Sequence, residues 1–462
     1  MPRNPPASGA AKPPAAPAQA ATPQAAATRS RRRRTPAAPA APSAPPGSGS
    51  AGTSTPWISN LQGPTGQLFG DPAPSPDERA FQVDNTSDAY YNSPYYTQHQ
   101  KDIEPVPTGP PGAPLSLQDV VGEAFLAPIT GGNKITFHVV GDTGASSTGK
   151  IATEGAVADA MAADLQGATP DAPAFFFHLG DVIYNFGEAE YYYDQFYEPF
   201  RGYDRPIFAI PGNHDGAVTY TNGGATPDAP SLQGFIANFC TPAATKPGDA
   251  GGLARTTMTQ PGVYFTLDAP FVSIIGLYTN VLEGPGVISD QNGAYPALQG
   301  DGQYNWLVSE LKRLAPQRAA LERAVILACH HPPVSADLTH GGATGLSADL
   351  DNAFNAAGLW PDAVLSGHAH IYQRFSRAVN NRQIPYVVAG SGGHNALVPT
   401  GEQTGEAPHT WNDYTLLNGP TAEYGYLTLT VDMRDATART LTITFTAPAA
   451  LSAADQVRVT LV

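Results

Sequence analysis

Five times between Ile135 and His370 a short, β-rich apolar run ends in a polar, glycine-containing loop. Ile135 to Val140 leads into Gly141-Asp142, Phe175 to Leu179 into Gly180-Asp181, and Ile207 to Ile210 into Gly212-Asn213-His214-Asp215. Ala324 to Ala328 leads into His330-His331-Pro332-Pro333, and Ala363 to Leu365 into Gly367-His368-Ala369-His370. Between these runs, helical periodicity covers Glu154 to Leu165, Gln303 to Leu314 and Ser347 to Ala357. The alternation predicts α/β layering, with each loop presenting polar side chains at a strand's carboxyl end, where open α/β folds place ligands. Further on, Tyr424 to Val431, Thr440 to Thr446 and Val457 to Val462 alternate as strands do. They read as a second, largely antiparallel sheet packed on the first. The expected fold class is α/β, with two packed mixed β-sheets flanked by helices.

Only part of the 462 residues follows this pattern. Residues 1 to 55 are almost wholly Ala, Pro, Ser, Thr, Gly and Arg, without aromatics, and cannot bury enough surface to offset chain entropy. They are expected to form a disordered basic tail. Residues 56 to 115 scatter Trp57, Phe69, Phe81 and a cluster of tyrosines among Pro, Gly, Asn and Asp. Prolines forbid long helices there while the aromatics need a partner surface, so this segment is expected to lie on the body as an extended arm. The catalytic domain is then residues 116 to 462.

Charge divides at the same place. The first 50 residues carry seven basic side chains and no acid, leaving 18 basic against 40 acidic residues, a net of −22, in the remainder. An acidic body of this kind excludes nucleic-acid binding by charge, so attraction for phosphate has to come from local metal ions. Ser30 and Arg31 to Arg34 resemble a twin-arginine export signal, but an Ala/Pro tract follows where a continuous apolar segment is required. No window resembles a membrane span, and the compartment is left open, with the cytoplasm favoured over export. Cys240 and Cys329 are the only cysteines, too few for a disulfide framework. Cys329 reads as a small buried strand residue.

The five loops, in this order, resemble the calcineurin-like metallophosphoesterase superfamily over roughly residues 132 to 447. Within it, Gly-Asp-x-Gly at 141–144, Gly-Asp-x-x-Tyr at 180–184, Gly-Asn-His-Asp at 212–215 and Gly-His-x-His at 367–370 are similar to the purple acid phosphatases. Most two-metal phosphoesterases open with Asp-x-His, and here Gly144 stands at the His position. The resemblance implies an αββα sandwich with two metal ions. Asp142, Tyr184 and His370 would hold the first ion, Asn213, His330 and His368 the second, and Asp181 would bridge them. A phenolate in an oxygen-rich site suits Fe(III), and the Asn/His/His set suits divalent Fe, Zn or Mn. Such a pair, about 3.5 to 4 Å apart, lowers the pKa of a bound water and clamps phosphate oxygens, making metal-bound hydroxide the nucleophile.

Other residues carry weaker implications. His214 is the best candidate to hydrogen-bond the phosphate or nucleophile, with Asp215 either orienting it or capping the following turn. His340 resembles the histidine of mammalian-type purple acid phosphatases that contacts phosphate and acts as general acid. The spacing from His330 is one residue longer here, the second proline of Pro332-Pro333 being the extra one. His331 reads as a packing neighbour, His138 and His178 as satisfied core residues, and His394 as either cleft border or backbone packing. Asn185, Tyr372 and Arg374 are rim candidates. Arg374 could meet phosphate as a bidentate donor, though pairing within the protein is the preferred reading.

The leading functional reading is hydrolysis of small phosphate monoesters, an acid phosphatase activity. A rival keeps the same metals but cleaves diesters such as cyclic nucleotides, and His330-His331-Pro332-Pro333, similar to bacterial class III phosphodiesterases, favours it. A third, ranked lower, is a non-catalytic binding protein on the same fold. Seven suitable metal donors argue against that reading.

Overall fold

In a computed structural model the chain separates into two units, residues 1–52 and 53–462. The structure describes residues 112–145, 151–166, 170–184, 186–217, 229–279, 286, 288–289, 300–337, 340–394, 407–411, 413–448 and 452–462. The expected tail, the arm before residue 112, and Asn185 lie outside the described residues.

In chain order the strands are β1 (Leu115–Ser116), β2 (Lys134–Val140), β3 (Phe176–His178), β4 (Ile207–Ala209), β5 (Phe265–Ala269), β6 (Val272–Gly276), β7 (Ala324–Cys329) and β8 (Ala363–Ser366). They continue as β9 (Tyr372–Val379), β10 (Arg382–Ala389), β11 (His409–Trp411), β12 (Tyr414–Thr421), β13 (Tyr426–Asp432), β14 (Thr440–Ala447) and β15 (Ser452–Thr460). One sheet is nine-stranded, ordered β1-β5-β6-β7-β8-β10-β9-β12-β11, and the other six-stranded, ordered β15-β14-β13-β2-β3-β4.

The parallel segments β2-β3-β4 and β6-β7-β8 carry the site loops. Every residue of β3, β4, β6, β7 and β8 is buried. Strands covered on both faces need no polar alternation, which is why the sequence reads there as unbroken apolar runs. By contrast β13 and β14, paired antiparallel, alternate buried with partly exposed residues. Helices Ile151–Ala163, Gly302–Ala319 and Thr344–Ala357 stand where periodicity predicts them. The last two pack on each other, and Gly302–Ala319 also contacts β7.

The fold class is as expected, but the strand assignment needs correction. The late strands do not make a sheet apart from the motif strands. They extend the one that holds β2, β3 and β4, with β13 lying antiparallel to β2 from Leu427↔Val139 to Asp432↔Lys134. The remaining motif strands, β7 and β8, belong to the nine-stranded sheet. An apolar run buried on both faces says nothing about which neighbour it pairs with, so periodicity could not make this division.

One apolar cluster joins the sheets. Phe177 of β3 stacks on Phe265 of β5 with ring centroids 5.9 Å apart. Nearby, a Cβ on Gly276 would come within 2.6 Å of Ile210 Cγ2, so glycine is what lets β6 approach. At the far side Tyr372 of β9 lies flat on Phe445 of β14 at 4.0 Å.

Candidate metal centre

The loops after β2, β3, β4, β7 and β8 converge where the two sheets meet. Asp142, Asp181 and His368 adopt φ of 57°, 54° and 67°. Left-handed backbone at a residue bearing a side chain costs of order 1–3 kcal/mol and is retained where surrounding structure enforces it. Here it turns the chain sharply at three strand ends. Gly180, with φ of 99°, supports the same turn, since a Cβ there would lie 2.7 Å from both the Gly212 amide and His330 Nδ1.

Asp142, Asp181 and His370 form one buried group whose donor atoms lie within 4.8 Å of one another, and Asp181, His330 and His368 form a second. Asp181 is common to both. In the first group the Tyr184 hydroxyl sits 2.9 Å from Asp181 Oδ2, 3.3 Å from Asp142 Oδ1 and 3.2 Å from His370 Nε2. In the second group His330 Nδ1 donates to the Leu179 carbonyl at 2.9 Å, which aims Nε2 at Asn213 Oδ1 (2.9 Å) and Asp181 Oδ2 (3.3 Å). Asn213 Oδ1 also lies 3.0 Å from His368 Nδ1. Carboxylate, imidazole and amide-oxygen donors converging at these distances are the donor chemistry of a cation site, so these side chains fit two metal ions.

Gly144 explains how a tyrosine reaches this position. A Cβ there would lie 2.5 Å from the Val182 carbonyl oxygen, 2.8 Å from Gln195 Oε1 and 3.1 Å from Tyr184 Cδ2. The Tyr184 ring and its supporting backbone thus occupy the space a histidine at 144 would need. Gln195, on a single π-helical turn Tyr193–Tyr197, accepts from the Tyr184 amide at 2.9 Å and donates to its carbonyl at 2.7 Å.

Electrostatics follow from burial and crowding. Burial, reinforced by the Asp181 and Asp142 carboxylates, pushes the Tyr184 phenol well above its ordinary value. Burial also drives Asp142 upward, partly opposed by His330. Asp181, although equally buried, is held below the usual carboxylate range by the charges of His330 and His214. His368 is pushed well below its ordinary value by burial and by neighbouring His331 and His340.

The candidates beyond the ligands also gather here. The His214 ring packs on Tyr184 at 4.2 Å and its backbone amide donates to Asp181 at 3.0 Å. His340 lies 4.7 Å from the His368 ring and 5.2 Å from His370. Its backbone amide and Nδ1 both meet Asp337 Oδ1, at 2.7 and 3.3 Å, which directs Nε2 as the ring's second polar atom. The Asp337 carboxyl is buried, yet these bonds hold it down at about 2. His331 packs against His368 at 4.4 Å and shares a hydrogen with Thr279. His394 stacks on Tyr184 at 3.9 Å, and burial lowers its pKa to about 3.

Two alternatives resolve in favour of a structural role. Asp215 does not orient His214 with its carboxylate. It accepts from the amides of Val182, Ile183 and Gly212 at 2.8–3.1 Å, tying the β3 loop to the turn that begins at Asn213. Arg374 points away from phosphate recognition and grips Asp455 with two bonds of 2.6 and 3.0 Å. His138 and His178 are satisfied as expected, His138 by Tyr203 and Asp164, His178 by Thr143 and the Gly180 amide. The buried Cys329 thiol is raised by desolvation and donates to the His331 carbonyl, which fits no nucleophile. Gln195 and Asp337 were missed by sequence reasoning. Only Asp337, three residues before His340, left a readable sign.

Two groups that could each hold a metal ion share an aspartate and draw their side chains from both sheets. The chain belongs to the calcineurin-like phosphoesterase family, whose model matches residues 135–372. Among solved structures it is similar to GAP50, the anchor in the inner membrane complex of Plasmodium, at 12% identity over 71% of this chain and 89% of that one, TM-score 0.47. It is also similar to a dimetal phosphatase from Danio rerio, at 10% identity over 71% of this chain and 99% of that one, TM-score 0.40. No curated protein matches the chain in sequence. Among the described residues no helix is long and apolar enough to cross a membrane.

Proposed function

We propose that this chain hydrolyses small phosphate monoesters as a purple acid phosphatase does. Asp142, Tyr184 and His370 would hold Fe(III), Asn213, His330 and His368 a divalent ion, and Asp181 would be shared. The observation that carries this reading is the Tyr184 hydroxyl, set beside Asp181, Asp142 and His370 in the space that Gly144 leaves open. A buried phenol beside two carboxylates gives up its proton only to a cation of high charge, which supports a trivalent ion at that position. When bound, the ion pair would supply an activated water and hold the phosphate oxygens. His214, whose amide bonds Asp181, would bond a phosphate oxygen, and His340, beside Asp337, would hand a proton to the departing alcohol.

The visible spectrum of protein purified without added metal tests the iron assignment. A tyrosinate-to-Fe(III) band that disappears in Tyr184→Phe is the expected result, and a colourless, fully active zinc or manganese protein would refute it. Turnover of an aryl monoester against the matching diester tests the substrate class. A strong diester preference would replace the monoester reading with its rival.

A further inference from the structure

The segment after β10 runs along the first metal loop. The Gly141 amide donates to the Ala389 carbonyl (3.0 Å), Gly392 to Gly141 (3.1 Å) and His394 to Asp142 (2.9 Å). A Cβ on Gly392 would lie 2.3 Å from the Gly141 oxygen, so only a glycine lets the two backbones come this close. This pairing delivers the His394 ring onto Tyr184, with centroids 3.9 Å apart and planes 29° apart, while His394 Nδ1 meets the Gly144 carbonyl at 3.2 Å. The ring also touches His370 at 4.2 Å. His214 covers Tyr184 as well, at 4.2 Å, leaving the phenol clamped between two imidazoles. His394 is 5% exposed, so the contact is a packed one.

We infer that His394 is a positioning residue for the tyrosine ligand, holding the Tyr184 ring and the Gly144 backbone in one geometry. The inference rests on the proposed role of Tyr184 and extends it. Replacing a histidine ligand by a tyrosine takes three residues in this chain: Gly144 clears the space, Tyr184 fills it, and His394 closes it. A phenol reaches a metal through a single oxygen at the end of a ring hinged at Cβ. Small rotations of that ring therefore move the oxygen far more than the backbone moves. His394 meets all three residues assigned to the first ion alone, Asp142 through its backbone amide and Tyr184 and His370 through its ring.

The test uses the full chain and the variants His394→Ala, His394→Phe and His394→Asn. Readouts are the visible band, the affinity for iron at the first site, and the affinity for zinc at the second. His394→Ala is expected to shift and weaken the band and to lower first-site iron affinity about ten- to a hundredfold, with second-site affinity unchanged. His394→Phe, which keeps a ring on Tyr184, should retain most of the wild-type band. His394→Asn, which keeps a donor for Gly144 but no ring, should behave as alanine does and serves in its place if His394→Ala does not fold. Wild-type band and affinity in both Ala and Asn variants overturn the inference alone. A colourless wild-type protein overturns the iron reading and the inference with it.

Discussion

Gly144 offers no side chain to a metal ion, and the space beside it is filled by Tyr184, Gln195 and the Val182 backbone. At Gly144 an added methyl would meet the Val182 carbonyl at 2.5 Å, and that carbonyl belongs to backbone bonded to Asp215, which cannot yield cheaply. Gly144→Ala is expected to cost about 1–3 kcal/mol, the usual penalty of overpacking a full interior, and to reduce first-site metal content. Denaturant melts and metal analysis check both. His340 makes a different kind of claim, because a proton donor matters only when the leaving group needs one. His340→Ala should slow alkyl phosphates by about 10²–10⁴ and leave aryl esters of acidic phenols nearly unaffected. Equal losses on both would assign His340 to binding instead. At this scale the sequence was legible where a residue ends a strand, because strand ends gather at one place whatever the loops do. Gln195 and Asp337 act through loops whose course the sequence does not encode.

Behind the first metal loop, the helix Ile151–Ala163 buries Glu154 completely, and neither carboxyl oxygen has a hydrogen-bond partner. Desolvation holds this acid well above its ordinary 4.5, with only a partial offset from nearby Thr143, whose hydroxyl pairs with His178 at 3.0 Å. Folded protein therefore keeps a proton that unfolded protein releases above pH 4.5. The associated stability is fully present below that pH and drains away as pH rises, by about 1.4 kcal/mol per unit until Glu154 itself ionises. Glu154→Gln has no proton to lose. Its stability relative to wild type should be flat below pH 4.5 and improve steadily above it, measured as unfolding free energy against pH. A constant difference across the range would show that Glu154 is ionised in the folded state. Glu154 falls within a helix that periodicity predicts, yet its burial was not legible. It depends on Gly393, where an added Cβ would lie 2.5 Å from the Glu154 Cα, so a glycine is needed for the loop after β10 to pack there. Elements are written in a sequence as periods, and contacts between elements are not.

Across the whole molecule, the ligand candidates come from both sheets. Asp142, Asp181 and Asn213 follow strands of the six-stranded sheet, whereas His330, His368 and His370 follow strands of the nine-stranded one. Tyr372 and Arg374 of β9 both bond Asp455 of β15, making a second tie beside the His370 loop. Asp455→Ala would leave a largely buried guanidinium uncompensated, and a loss of about 3–5 kcal/mol is expected from thermal or denaturant unfolding. Metal ions would tie the same two sheets in another way. Only the folded chain brings residues 142, 181, 184, 213, 330, 368 and 370 together, so an ion bound there favours the folded state by mass action, about 2.7 kcal/mol at a hundred times its dissociation constant. The melting temperature should rise with the logarithm of free metal and fall on chelation. Asp181→Ala, which removes the carboxylate common to both groups, should abolish most of that rise, whereas Asn213→Ala should leave the part due to the first ion. A melting temperature indifferent to metal in wild-type protein would mean that no ion binds the folded chain in preference to the unfolded one, and would remove the support for a metal centre at these side chains.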